Sequence, residues 1–124
     1  MGDIQSLRDL RVYRNAFNAA MKIFELTKSF PPEEKYSLTD QVRRSSRSVC
    51  ANIGEAWRKR RYRAAFISKL SDSESEAEET RVWLEFALGC KYMKESMYKD
   101  LEEAYDEIHS QLSNMIQNVD KWTL

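Results

Sequence analysis

The residues best suited to chemistry are five cations within six positions, flanked and interrupted by aromatic side chains. We call residues 58–63 the basic segment; its cations are Arg58, Lys59, Arg60, Arg61 and Arg63. Trp57 precedes the segment and Tyr62 lies within it. Cations neutralise phosphate groups, and flat aromatic faces stack on unpaired bases. The segment therefore predicts a surface for RNA or DNA, although a solvated helix end with cations at its C-terminal dipole would have the same composition.

Two more arginines extend this positive charge towards the N-terminus. Arg43 and Arg47 are four positions apart and fall on one face of the predicted helix. The whole chain has zero formal net charge, so attraction of the entire molecule to nucleic acid or to a membrane is not expected, but residues 43–63 hold eight bases and one acid. We interpret these cations as phosphate contacts that read no sequence. The alternative is an adaptor in which the same arginines contact a protein partner or another subunit.

Other reactive side chains do not form a recognisable catalytic or metal site. His109 is the only histidine, which leaves a histidine-containing di-iron centre unsupported. The acidic residues Asp72, Glu76 and Glu79 share one helix face. Pairing of these acids with arginine or water is a simpler interpretation than a metal site. No serine has a suitably spaced histidine, and no glycine-rich phosphate loop is present. We expect no enzymatic activity and no cofactor.

The two cysteines and the hydropathy pattern indicate a cytoplasmic protein. Cys50 and Cys90 are too few for a disulfide framework and have no metal-ligand spacing. The first ten residues lack the pattern of a signal peptide, and no stretch is apolar enough to span a membrane.

A polar stripe runs beside the apolar face of the same helix. Its members are spaced three or four positions apart and include Gln41, Arg44, Asn52 and Glu55. Opposite stripes on two neighbouring helices would meet in a buried polar seam. We expect this seam to join the stripe to Asp72, Glu76 or Glu79 on the following helix.

Four apolar rows with helical spacing predict the elements that position these residues. The first row lies within residues 8–28, the second within 36–63, and the third and fourth begin near residues 66 and 95. Prolines after Phe30 and a glycine at position 89 separate them. The predicted fold is an all-α, antiparallel up-down-up-down four-helix bundle, with connections near 29–36, 60–65 and 89–95. Residues 8–124 form one domain, and residues 1–7 a frayed tail.

Apolar side chains on the first helix occupy two rows rather than one. Tyr13, Phe17 and Phe24 belong to one row, and Val12 and Ile23 to the other. One small bundle cannot cover both rows together with the aromatic end of the third helix. We therefore expect a homo-oligomer.

A long central stretch also resembles a known family. The run at residues 28–46 reads KSFPPEEKYSLTDQVRRSS, followed by Ser48-Val49, Ala51-Asn52-Ile53 and Glu55. It is similar to the signature of a bacterial four-helix bundle family associated with intervening sequences in 23S rRNA genes. Residues 10–13, 73–80 and 83–84 extend the similarity over about residues 7–120.

The resemblance implies a ring-shaped homopentamer without established enzymatic activity. Relatives include the accessory variability determinants of diversity-generating retroelements, which bind nucleic acid and a reverse transcriptase. Several positions depart from the family pattern: Cys50 replaces a common proline, Gly54-Glu55-Ala56 replaces Ala-Glu-Gly, the basic segment replaces a glycine-rich step, and Lys91 replaces a glycine before Tyr92.

Overall fold

Helices alternate with short connections along residues 4–124, the part of the chain that the computed structural model describes. Four are long: α1 (Arg11–Thr27), α2 (Asp40–Arg58), α3 (Arg63–Gly89) and α4 (Glu95–Gln117). A single turn, α5 (Val119–Trp122), follows a break at Asn118. Short 3-10 turns occupy Leu7–Asp9 and Pro32–Glu34, and a π-helical turn occupies Lys35–Thr39. No strand occurs among these residues, so the predicted all-α four-helix architecture is confirmed.

Each long helix packs against its neighbours in sequence, and α1 also packs against α4. Contacts between α2 and α3 run in opposite order along the two helices. Glu55 contacts Lys69, and Ser45 contacts Thr80. Between α1 and α4, Asn15 near the start of one donates to Gln111 near the end of the other at 3.1 Å. These contacts are those that an up-down-up-down order requires.

The buried face of α3 is the row that its spacing predicts. Every one of its fully or nearly fully buried side chains belongs to that row, which consists of Phe66, Leu70, Ser73, Ala77, Thr80, Leu84 and Ala87. On α2 the predicted row of Val42, Val49, Ile53 and Ala56 is also buried. Both rows contribute to one continuous hydrophobic core.

Small and hydroxylated side chains fill the contact between α2 and α3. Ser73 Oγ donates to the carbonyl of Val49 at 2.9 Å, and Thr80 Oγ1 lies 2.8 Å from Ser45 Oγ. All three hydroxyl residues are completely buried. Because buried polar groups need partners, these bonds fix the position of one helix along the other.

Helix α1 buries one of its two apolar rows in the core and leaves part of the other row exposed. Val12, Ala16, Ala19 and Ile23 are buried, whereas Phe17 retains 49% of its accessible surface.

The predicted tail differs from the structure: residues 1–3 lie outside the described part, but Ile4 and Leu7 pack against the core. A Cβ atom at Gly54 would lie 3.4 Å from Leu7 Cδ2, which is an ordinary van der Waals distance, so the packing of Leu7 does not require glycine at this position.

The turn that precedes α2 is organised around Glu34. The Ser37 hydroxyl donates to Glu34 Oε1 at 2.5 Å, and the Tyr92 hydroxyl donates to Oε2 at 2.7 Å. Both hydrogen bonds lower the pKa of Glu34, and the same contact raises the pKa of Tyr92 to about 12. Helix α2 itself begins at Asp40 without a side-chain cap.

The connection from α3 to α4 closes on a left-handed residue. Lys91 has a φ of 64°. Its amide donates to the Leu88 carbonyl, and the Tyr92 amide donates to the Ala87 carbonyl, both at 2.9 Å. This is the hydrogen-bond pattern of a helix end that normally carries glycine. Within residues 4–124, none of the helices combines the length and apolar composition needed to cross a bilayer.

Replacing Lys91 by glycine tests this interpretation of the turn. A side chain in the left-handed region costs about 1 kcal/mol that glycine does not incur. We expect Lys91→Gly to raise the free energy of unfolding by up to about 1 kcal/mol in urea titrations. Lys94→Gly is the matched control, because Lys94 has an ordinary extended conformation; it should be neutral or destabilising. An unstable Lys91→Gly variant would contradict the account.

Candidate nucleic-acid interface

The basic segment lies in a tight turn between α2 and α3, not at the end of one continuous helix. Helix α2 ends at Arg58 and α3 begins at Arg63. The Lys59 amide closes α2 on the carbonyls of Glu55 and Ala56, and the Tyr62 amide donates to the Lys59 carbonyl at 2.9 Å. The turn therefore projects cations from one end of the bundle.

The C-terminal residues support this turn from one side. The Leu124 amide donates to the Arg60 carbonyl at 3.0 Å. Asp120, on α5, forms an ion pair with Arg63. Both partners of that pair are more than half exposed, so its stabilising effect is small. Its main consequence is that Arg63 already has a carboxylate partner.

Trp57 is a core residue and Arg60 covers it. Trp57 is only 7% exposed, and the Arg60 guanidinium carbon lies 3.5 Å from its ring centroid. Arg60 Nε also donates to the Trp57 carbonyl at 2.9 Å. Burial, followed by the charge of Arg58, lowers the pKa of Arg60. The structure thus removes Trp57 from the predicted base-stacking surface and ties Arg60 to the fold.

Four members of the predicted site remain open to solvent at this turn. Arg58, Lys59 and Arg61 are exposed, and they form no salt bridge with any residue in the described range 4–124. Tyr62 is 62% exposed. We call these four residues the open cluster: three cations without a carboxylate partner, next to one accessible aromatic ring.

Arg43 and Arg47 belong to a different surface, where α2 packs against α1. Arg43 Nε donates to Thr27 Oγ1 at 2.7 Å, and its guanidinium carbon lies 4.9 Å from the Phe24 ring centroid. Arg47 lies 5.8 Å from the same centroid. Since a helix rises about 1.5 Å per residue, Arg47 is about 16 Å from Arg58 along α2. Arg43 therefore holds two helices together, and neither arginine adjoins the open cluster.

The predicted polar seam lies at the surface rather than between the helices. Arg44 is exposed, and Gln41 is half-buried. Asn52 donates to the Ser48 carbonyl one turn earlier in α2 instead of to α3. The buried polar contacts between α2 and α3 are made by the hydroxyls of Ser45, Ser73 and Thr80, and the longer polar side chains of the stripe take no part in them.

The acidic partners expected for that seam have separate contacts. Lys69 bridges Glu55 at 2.9 Å and Asp72 at 3.8 Å, and the contact with Glu55 raises the pKa of Lys69. Glu79 accepts a hydrogen bond from Trp83 Nε1 at 3.2 Å. Glu76 keeps one buried carboxylate oxygen without a partner among the described residues. The structure therefore brings together only Glu55 and Asp72, through a lysine that the sequence analysis did not include.

An ion-pair cluster between α3 and α4 was not foreseen from the sequence. Arg81 lies 2.9 Å from carboxylate oxygens of both Glu102 and Asp106. Burial lowers the pKa of Arg81, but the hydrogen bonds and charges of the two acids outweigh it and raise the pKa. One turn away, His109 Nε2 lies 3.4 Å from Glu78. The acids at positions 102 and 106 share a helix face, but nothing local indicates which cation they meet.

Residues 4–124 contain no group of three or more histidine, cysteine or acidic side chains arranged to hold a metal ion. Cys50 is largely buried, and burial raises the pKa of its thiol to about 11. A thiol with so high a pKa is a poor nucleophile at neutral pH. The open cluster is therefore the feature of the described chain that points most directly to a ligand.

Comparison with known proteins decides the family. The 23S rRNA-intervening sequence protein family matches residues 8–114. The chain belongs to this family. A protein of unknown function from the S23 ribosomal protein family of Bacteroides thetaiotaomicron VPI-5482, solved by crystallography at 1.70 Å resolution, is 33% identical to this chain. The similarity covers 86% of this chain and 95% of that protein, with a TM-score of 0.77. No curated protein matches the chain.

The family match includes the whole basic segment but not the residues that support it. Asp120 and Leu124 lie beyond the matched range 8–114. Arg63 and Arg60, which they contact, lie inside it.

Two arginine substitutions separate the observed ion pairs from the predicted seam. The Arg81 side chain is only 19% exposed and bonds two carboxylates, so Arg81→Ala should lower the free energy of unfolding by about 1–3 kcal/mol. Arg44→Ala is the matched control at an exposed position and should change it by less than about 0.5 kcal/mol. Urea titrations of both variants measure this difference. If Arg44→Ala lost more unfolding free energy than this, the result would support the predicted buried seam.

Proposed function

We propose that this protein is a non-enzymatic homo-oligomer that binds RNA or DNA through the basic segment without reading sequence. The observation that carries the proposal is the open cluster: Arg58, Lys59 and Arg61 have no carboxylate partner within residues 4–124, and exposed Tyr62 lies beside them. Cations that are not engaged in the fold are available to phosphates, and each phosphate contact releases counterions. The family name, which refers to 23S rRNA-intervening sequences, agrees with a nucleic-acid partner.

Charge reversal at the open cluster tests nucleic-acid binding. Fluorescence anisotropy with a structured RNA and a duplex DNA, at low and moderate salt, measures affinity and its salt dependence. Reversing Arg58, Lys59 and Arg61 to Glu should weaken binding by at least about tenfold at low salt, because three phosphate contacts are lost. The slope of log K against log salt should also become shallower by about two to three.

A matched control reverses three exposed lysines elsewhere. Lys22, Lys94 and Lys99 also lack salt bridges within the described range. Their reversal to Glu changes the net charge equally and should cost much less affinity. Asp120→Asn should act in the opposite direction, because it frees Arg63 for phosphate. Absence of binding at low salt, or equal losses in both triple variants, would refute the basic segment as the site.

Homo-oligomer formation is supported by an apolar groove between α1 and α2. The groove has a volume of about 410 Å³, and Tyr13, Phe17, Ala20, Met21 and Cys50 are among its lining residues. Phe17 and Met21 are 49% and 45% exposed. Large apolar side chains exposed together in one groove are typical of interaction sites. Family resemblance supplies five as the expected subunit number.

Light scattering at micromolar concentration tests the oligomer. We expect a mass of about five chains. Replacing Phe17 and Met21 by serine should lower the mass towards that of one chain, since both side chains would lose apolar contacts. Tyr36→Ser is the control, because Tyr36 is 74% exposed and does not line the groove. A monomeric parent protein would refute oligomerisation.

A second candidate function is a structural adaptor that binds a protein partner and no nucleic acid. The same groove favours it, because the groove suits an apolar side chain of another protein and Arg47 is among its lining residues. The adaptor becomes the better account if the parent protein is monomeric and binds neither RNA nor DNA at low salt.

A further inference from the structure

The backbone of Tyr62 is held in place, and its ring is left uncovered. Its amide donates to the Lys59 carbonyl, and its carbonyl accepts from the Phe66 amide, both at 2.9 Å. The backbone on either side of the ring is therefore fixed by the turn and by the first turn of α3. The Leu124 amide adds a third bond to this turn, at Arg60.

Other aromatic rings near cations in this chain are already occupied. Arg60 covers Trp57 at 3.5 Å, Lys35 lies 5.3 Å from the ring centroid of exposed Tyr36, and Arg43 and Arg47 approach Phe24. Tyr62 has no cation above its ring and no aromatic neighbour among residues 4–124. It is thus the uncovered ring among the open cations of the basic segment.

Cations alone do not distinguish single-stranded from double-stranded nucleic acid, because both present a row of phosphates. An exposed aromatic ring does distinguish them. In a duplex the base faces are stacked on one another, so a side chain reaches only their edges. In a single strand or a loop a base can turn outwards and stack on tyrosine.

We infer that the basic segment binds single-stranded nucleic acid. One unpaired base stacks on Tyr62, and the adjoining phosphates pair with Arg58, Lys59 and Arg61. This inference rests on the proposed function and adds the strand state of the ligand. The ligand is a single strand of either sugar type, because stacking uses the base and pairing uses the phosphate.

Substitutions of Tyr62 provide the test. The probes are a short oligouridylate, an oligodeoxyuridylate of equal length and a DNA duplex, and anisotropy measures the binding of each. Tyr62→Leu should weaken binding to both single strands by about 5- to 150-fold, the range that corresponds to one lost base-stacking contact. It should leave duplex binding and the salt slope unchanged, because no charge is removed. Tyr62→Phe should retain the affinity of the parent.

A leucine at the other exposed tyrosine supplies the control, since Tyr36→Leu removes a comparable ring outside the basic segment. A single strand carrying 2-aminopurine adds an independent signal. Its fluorescence should be quenched by the parent and by Tyr62→Phe, and quenched less by saturating Tyr62→Leu. Circular dichroism confirms that each variant is folded.

The outcomes separate the inference from the function on which it rests. Equal losses for duplex and single strand in Tyr62→Leu, or no loss for either, overturn the stacking role while phosphate binding stands. A parent protein that binds none of the three probes at low salt overturns both. Unequal affinity for the two single strands, with both weakened by Tyr62→Leu, keeps the inference and identifies the preferred sugar.

Discussion

The close contact between α2 and α3 is the constraint on which the rest of the structure depends. Ser73 and Thr80 are buried at an interface where larger side chains would separate the helices, and their hydroxyls bond directly to α2. Because each of these bonds joins one particular residue of α3 to one particular residue of α2, they set the register of the two helices as well as their distance. The turn at residues 59–62 can then be short, and its cations project from this end of the bundle.

This contact also decides where the charged side chains go. Ser45 and Ser73 occupy buried positions of this contact, whereas Arg44 and Glu55 of the polar stripe are exposed. The partly buried ion pairs instead lie between α3 and α4, where Arg81 meets two acids of α4. Two kinds of polar contact therefore align the helices of this bundle. Hydroxyl hydrogen bonds align α2 with α3, and ion pairs align α3 with α4.

Sequence periodicity predicted the helices and the buried rows well, because burial of α3 depends on local spacing. It predicted the site less well. Trp57 lies one helical turn after Ile53, and this spacing could have identified it as a core residue. Its position next to several arginines favoured the surface interpretation instead. Arg63 with Asp120, and Arg43 with Thr27, join residues distant in sequence. No local pattern contains such pairs, so only the packed structure reveals which cations are already engaged.

Some cations of the basic segment have partners within the fold, and the others do not. Five positive charges within six residues repel one another and oppose formation of the turn. Two have partners within the fold: Arg60 lies over Trp57, and Arg63 pairs with Asp120. Arg58, Lys59 and Arg61 have no such partner within the described chain, and the repulsion among them would fall if an anion were bound. If a polyanion binds at the proposed site, it would therefore stabilise this end of the bundle, because a ligand that binds only the folded state raises its stability.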